Sequence, residues 1–295
     1  EEAQARREAM RQAQSLANAY ATQLQYVAEQ IDQLMRRVAF SWRDHPETVD
    51  LERDQRRGLF PGRDAFFVFI TDANGRVVRS SMALRRPMDV SGFDFFRQQR
   101  AGCCRGLSIY PVTRSPWVLR DVVRFVRRID HDDGSFGGIV LVSVAPDFLA
   151  TFNDEALHGP HDFVSMRLAT GPLLATKVGQ HNETPTVYYR EDPRFAEDHG
   201  VRLEPAHLFR DHRARFIGWR HIAGYPAVAL AGLTEEDALA TFRALARTYR
   251  INAATVIALL TALAAGGIVL FSRMAARRQM EEELRLTYRV ATDAA

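Results

Sequence analysis

Cys103 and Cys104 stand side by side, and adjacent thiols offer two kinds of chemistry. In an oxidising compartment they can close a strained vicinal disulfide or pair across a dimer. The commoner outcome is two free thiols. His158-Gly159-Pro160-His161-Asp162 clusters donor side chains. Pro160 interrupts regular helical spacing there, and zinc sites need further ligands at set spacings, so this stretch reads as a loop. Catalytic signatures are missing: there is no Gly-x-Ser-x-Gly elbow, no His-Glu-x-x-His, no phosphate-binding glycine loop and no cysteine–histidine pairing at zinc spacing. The segment is expected to carry no catalytic site, metal or cofactor.

The chain has 295 residues, with 46% hydrophobic and 25% charged residues, a globular composition. A formal net charge of +3 on this length is too small to indicate nucleic acid, and no nucleic-acid partner is expected. Lys177 is the only lysine. That bias toward arginine dilutes the weight any single Arg carries as a functional residue.

Residues 3–42 contain no Pro or Gly and read as one long helix. Met10, Ala13, Ala17, Tyr20, Leu24, Val27, Ile31, Leu34 and Val38 recur at alternating spacings of three and four, a seam that can face a partner copy or its own domain. Asp44-His45-Pro46 ends it. Ala65–Ile70, the turn Asp72-Ala73-Asn74-Gly75 and Arg76–Ser80 then predict a hairpin. Asp89–Arg100 reads as a short helix carrying Phe93, Phe95 and Phe96. Strands follow at Leu107–Val112, Val118–Arg128 and Gly138–Val144, then a helix over Pro146–Glu155. A second, smaller unit repeats the style, with Phe163–Ala169 and Leu173–Val178 as one hairpin and Arg215–Ile222 and Ala227–Leu233 as another. Thr234 and Asp237 resemble a capping box opening a helix. The fold class is α+β.

Ile251–Phe271 holds 21 residues without a charge, the length of a membrane-spanning helix at about 1.5 Å per residue. Ala264, Ala265, Gly266 and Gly267 would let a second helix approach closely. Arg247 and Arg250 precede the span, and Arg273, Arg277 and Arg278 follow it. This slight excess puts the C-terminal side in the cytoplasm. Both ends read as cuts in a longer protein, with an earlier membrane helix expected before Glu1 if residues 1–250 are outside.

In their order and spacing, FFVFITDANGRVVRSS, DVSGFDFFRQQR, LSIYPVTRSPW, VRRIDHDDGSFGGIVLVSVAPDFLATF and WRHIAGYPAVALAGLTEEDAL resemble the double Cache (PDC-like) sensor domain. The version in front of diguanylate cyclases, cyclic-di-GMP phosphodiesterases and hybrid histidine kinases looks closest, and the resemblance covers nearly all of residues 10–250. Met280–Ala295 looks like a signalling helix entering a PAS domain. The resemblance implies a long N-terminal helix (1–44), a membrane-distal PAS-like module (45–160) and a membrane-proximal one (161–234). A connecting helix (235–250), the membrane helix (251–271) and a cytoplasmic signalling helix (272–295) follow. It also implies a homodimer in the bacterial inner membrane, with residues 1–250 periplasmic and the distal module holding the ligand.

By the same resemblance, Tyr110, Arg114, Trp117 and Arg127 lie on the strands and loop that line the family's pocket. An arginine fork suits a ligand carboxylate, and the Trp117 ring could cover an ammonium or an apolar tail. Asp89 and Asp94 could oppose a ligand amine. Each also has an ordinary structural reading: a solvated Arg, a core Trp, a helix-capping Asp. The sequence departs from the amino-acid-binding branch, which has Arg, one residue, Trp and a second aromatic. Here Arg114-Ser115-Pro116-Trp117-Val118 is one residue longer and lacks that aromatic. The acidic residue expected where the strand ends is replaced by Val144-Ala145-Pro146, with Asp147 two positions late. A small carboxylate, or no ligand at all, fits better than a standard amino acid. The expectation is an extracytoplasmic small-molecule sensor signalling to a cytoplasmic output, through cyclic-di-GMP turnover or a histidine kinase. A ligand-free dimerisation module, or one answering to a protein partner, is the alternative.

Overall fold

The computed structural model describes residues 2–62, 65–84, 86–104, 106–152, 159–183, 195–240, 249 and 251–265. It divides into a unit ending at Leu239 and a second unit from Ala240 onward.

The first helix, α1, runs over Glu2–Asp44. Ala9, Ala13, Ala17 and Ala21, four residues apart, are buried along one face of its first half. Ile31, Leu34, Met35 and Val38 continue the buried face in its second half. The expected seam therefore faces the chain's own sheets, with Met10 and Val27 at its edge.

The first sheet has the order β2-β1-β5-β4-β3, with β1 at Phe66–Thr71, β2 at Val77–Ser80, β3 at Ser108–Arg114, β4 at Asp121–Asp130 and β5 at Phe136–Val144. The β1–β2 turn follows from its residues. The Asp72 carboxylate accepts from the Asn74 and Arg76 amides, and Gly75 takes a φ of +91°, where a Cβ would also strike the Ser91 backbone at 2.7 Å. Between β2 and β3 lies helix α3, Asp94–Arg100. The helix expected from Asp89 starts five residues late, because Val90–Phe93 is held in a turn (Phe93 N to Val90 O, 3.0 Å) and the Asp89 carboxylate is committed to Ser91. Two short helices, α2 at Leu51–Arg56 and α4 at Pro146–Ala150, flank the sheet. The rest of the helix expected to reach Glu155 lies mostly outside the described residues.

The second sheet has the order β8-β7-β6-β11-β10-β9. Its strands are β6 at Phe163–Leu168, β7 at Leu173–Val178, β8 at His181–Glu183, β9 at His199–Glu204, β10 at Arg215–His221 and β11 at Ala227–Thr234. The sequence reading missed β8 and β9, which carry little apolar alternation. α1 lies directly on β10: a Cβ on Gly218 would sit 2.3 Å from the Ala13 carbonyl oxygen, and the Gln14 amide donates to the Trp219 carbonyl at 3.1 Å.

At the end of β11, helix α5 opens at Glu235–Ala238. Thr234 does not cap it in the expected way, since its hydroxyl contacts no backbone N–H of the helix. It lies instead 2.7 Å from the Asp237 carboxylate and 3.1 Å from that of buried Asp162. Asp162 also accepts from the Thr234 and Gly159 amides, at 2.8 and 2.9 Å. Arg6 near the start of α1 pairs with Glu235 at 2.9 Å.

In the second unit, residues 251–265 are helical and exposed throughout. Among the described residues no helix is long and apolar enough to cross a membrane. The end of the expected span, most of the 235–250 connection and the 272–295 tail lie outside the described residues.

Two predictions follow from buried carboxylates. Asp32 on α1 accepts from the Arg127 Nε of β4 at 2.9 Å and from Arg36 at 3.0 Å, and the Asp32 and Arg127 side chains are only 9% and 15% exposed. Asp32→Ala strands the Arg127 charge against α1 and should cost about 3 kcal/mol in denaturant unfolding, with Asp32→Leu/Arg127→Met recovering most of it. Burial, aided by Asp237, raises the Asp162 pKa despite the hydrogen bonds that lower it. Its contribution to folding is therefore full below the unfolded value of about 4 and is lost as pH rises through the folded one. Measured by urea unfolding, wild-type stability minus that of Asp162→Asn should fall as pH rises above about 4; a rise would show a charge-stabilised carboxylate.

Candidate ligand site on the first sheet

Every strand of the first sheet has two faces, and α1 covers one of them. Phe66, Val68 and Ile70 of β1, with Val123, Phe125 and Ile129 of β4, belong to the core that includes α1. The alternate residues make a second core with α3, built from Phe67, Phe69, Val126, Ile139, Leu141, Phe95 and Phe96. Strand register sets a row across this second face. Phe67 pairs with Ser143, Ser143 with Arg124, and Arg124 with Tyr110. A bulge after Tyr110 then returns Thr113 to the same face, opposite Val122.

Arg124 and Ser143 are 4% and 2% exposed. The Arg124 Nη1 donates to the Thr113 hydroxyl, and its guanidinium carbon lies 5.6 Å from the centre of the Phe95 ring. Its Nε has no partner, and neither has the Ser143 hydroxyl. Burial lowers the Arg124 pKa, the sign of a cation taken from water without full compensation. Gln99 of α3 donates to Ser108 at 2.8 Å, while its own amide oxygen is buried and unpartnered. Buried polar groups are rarely left this way, and here three sit on or beside one face.

Aromatic rings close that face. Phe93 stacks on Phe95 at 5.3 Å and meets Trp117 at 5.3 Å; Trp117 meets Phe69 edge-on at 6.2 Å, and Tyr110 meets Phe95 at 6.1 Å. Tyr110 is half-buried, and that burial raises its pKa. Trp117 rides on a turn closed by Ser115 and Arg120 (2.8 Å). Within that turn Leu119 takes a φ of +53° and is 69% exposed, a strained position for a side-chain-bearing residue.

Of the six site residues expected from the sequence, the structure brings Tyr110 and Trp117 together on this face. Arg127 belongs to the opposite face, since it is odd-numbered like Phe125, and pairs with Asp32 under α1. Arg114 is exposed at the end of β3, opposite Asp121. Asp89 is exposed and engaged with Ser91, which holds its carboxyl below the usual range. Asp94 is exposed on α3 and paired with Arg97. The residues missed are Arg124, Ser143 and Gln99. Alternation along β4 does not single out Arg124, because Val122 and Val126 make the even positions as apolar as Val123 and Phe125 make the odd ones, and only packing against α1 or α3 assigns the faces.

Among the described residues, the second sheet covers its corresponding face with apolar side chains. Phe163, Phe209, Trp219 and Val228 pack there. Ideal Cβ atoms on Gly200 and Gly232 would lie 2.3 and 2.4 Å from the Trp219 and Phe163 rings. Its buried Arg215 is satisfied, donating to the His161 carbonyl at 3.0 Å and to Asp211 at 2.8 Å. Two clefts of about 250 and 290 Å³ run along α1 and include none of the unpartnered atoms. Cys103 and Cys104 are free thiols, and partial burial with Cys104 alongside pushes the Cys103 thiol up to about 11. His158 lies outside the described residues, and no cluster of three metal-ligating side chains occurs among the described ones.

No family model matches the sequence, and no curated protein is similar to it. Solved structures do match. The extracellular domain of the predicted histidine kinase rpHK1S-Z16 is 20% identical, with a TM-score of 0.66 over 80% of this chain and 97% of that one. The ligand-binding domain of the Pseudomonas fluorescens chemoreceptor CtaA, in complex with L-leucine, is 14% identical (TM-score 0.58; 79% and 98% covered). That of the Pseudomonas aeruginosa amino acid chemoreceptor PctB, in complex with L-Arg, is also 14% identical (TM-score 0.55; 76% and 94% covered). With its long first helix and two antiparallel sheets, the chain has the fold of the Cache-like sensor domains of histidine kinases and chemoreceptors.

Proposed function

We propose that this chain is the extracytoplasmic small-molecule sensor of a bacterial transmembrane receptor, with residues 45–160 as the ligand-binding module. The observation that carries the reading is the contrast between the two sheets. Both bury an arginine under aromatic rings, but only the first leaves the guanidinium Nε and a neighbouring hydroxyl unpartnered. A filled face is a scaffold, whereas a face with open polar atoms under rings has the makings of a binding site. The likeness in fold to ligand-binding domains of receptors supports the same reading.

Signalling requires only a ligand that favours one arrangement of the module over another. α1 packs against both sheets, and the Arg6–Glu235 pair ties its start to the head of α5, so a shift in the first sheet has a covalent and ionic route to the exit of the second. Beyond that exit, Ile251, Val256, Ile257, Leu259, Leu260 and Leu263 are each more than half exposed. A helix apolar on all sides has its natural solvent in lipid. We read residues 251–271 as the membrane helix, residues 1–250 as periplasmic, and the receptor as a homodimer in the inner membrane whose cytoplasmic output is a histidine kinase or an enzyme of cyclic-di-GMP turnover. The ring lid over the first sheet favours the competing reading, a ligand-free dimerisation module.

A thermal-shift screen against small carboxylates, amines and purines separates the two. A ligand at one hundred times its Kd should stabilise the protein by about 2.7 kcal/mol, and a ligand-free module should show no shift with any class. Leu260→Arg, costing about 3 kcal/mol at the bilayer centre, should move much of the protein from the membrane fraction to the alkali-extractable one.

A further inference from the structure

The unpartnered atoms on the first sheet also describe what would satisfy them, given the sensor reading above. Arg124 and Ser143 are direct cross-strand partners on one face, so their Cβ atoms stand about 5 Å apart. The open groups are an Nε–H, which can only donate, and a hydroxyl, which can donate or accept, and the first is cationic. The two oxygens of a carboxylate can take both at once, as charge-assisted bonds from a buried cation. The rings of Phe95, Tyr110 and Trp117 provide an apolar enclosure for the rest of a small molecule.

An ammonium finds nothing comparable. Among the described residues no carboxylate lies on the buried face: Asp89 and Asp94 are exposed and engaged with Ser91 and Arg97, and Asp121 is exposed at the start of β4. Apart from the Ser143 hydroxyl, the open acceptor beside this face among the described residues is the Gln99 amide oxygen, which is neutral and suits a hydroxyl better than a cation.

We propose that the first module binds a small organic carboxylate that lacks an ammonium group, its carboxylate held by Arg124 and Ser143. Entry requires displacement of the Ser115–Arg120 turn, which carries Trp117 over Phe69 and Phe93. The site would then select against the amino acids seen in CtaA and PctB, because their ammonium would be buried beside Arg124 without a counter-charge.

A matched three-carbon series on the full chain in detergent tests this: propionate, lactate, alanine and propylamine, by calorimetry and melting temperature. Propionate or lactate should bind at least tenfold more tightly than alanine, and propylamine should not bind. Arg124→Met should weaken the carboxylate at least thirtyfold, and Ser143→Ala about fivefold. The apo melting temperature of Arg124→Met should stay at or above wild type, because the variant removes an incompletely paired buried charge. If that variant fails to fold, the Ser143→Ala effect decides alone. Alanine binding as tightly as propionate, or carboxylate binding indifferent to both substitutions, would overturn the proposal. Should no carboxylate of two to six carbons bind while an amine or purine does, the ligand class is wrong and the sensor reading stands. Silence across all classes sinks both.

Discussion

One helix covers the same side of two sheets, and the rest of the architecture depends on that. α1 buries its alanine row against the second sheet and its larger apolar residues toward the first. The close approach over Gly218 suits alanines, since a larger side chain at Ala13 or a Cβ on Gly218 would force helix and sheet apart. With one face of each sheet occupied in this way, each module must cover its second face from its own loops. The two modules solve that problem differently. In the second, rings and a fully hydrogen-bonded Arg215 make a closed layer. In the first, α3 and the Trp117 turn supply rings but leave Arg124, Ser143 and Gln99 with open polar atoms.

Periodicity made much of this legible in the sequence. The three-and-four spacing of α1 and the Asp72–Gly75 turn each encode local structure, and both of these formed. β8 and β9 were not legible, because edge strands such as His199–Glu204 carry polar residues and are defined by pairing with β10. The register of an edge strand is a long-range fact. The site was half legible for a related reason. Tyr110 and Trp117 are aromatic residues whose types already suggest a lined pocket. Choosing between Arg124 and Arg127 needs the face of β4, and choosing Ser143 needs the pairing of β4 with β5. The bulge that returns Thr113 to the pocket face follows Tyr110 across Pro111 and leaves only that proline as a mark in the sequence.

Arg124 and Arg127 show how close the two faces are in mechanical terms. They lie three residues apart on one strand, one toward the proposed ligand and the other bonded to Asp32 of the helix that spans both sheets. A strand is a single layer, so a shift of β4 toward a ligand at Arg124 carries the Arg127–Asp32 contact with it. That contact is buried and directional, which makes it a poor spring and a good linkage: α1 must follow or the ion pair must break. At the other end of α1, Arg6 meets Glu235 at the head of α5, next to the Thr234 hydroxyl wedged between the Asp162 and Asp237 carboxylates. A hydroxyl has one proton and cannot donate to both, so this joint is electrostatically crowded where the chain leaves the second sheet. In the sensor proposed above, a helix tied by the buried Asp32–Arg127 pair and the more exposed Arg6–Glu235 pair, and packed through small side chains between them, would carry a shift of β4 along its length. The energetic demand on the ligand is then modest, because only the difference in affinity between two positions of one strand has to be supplied.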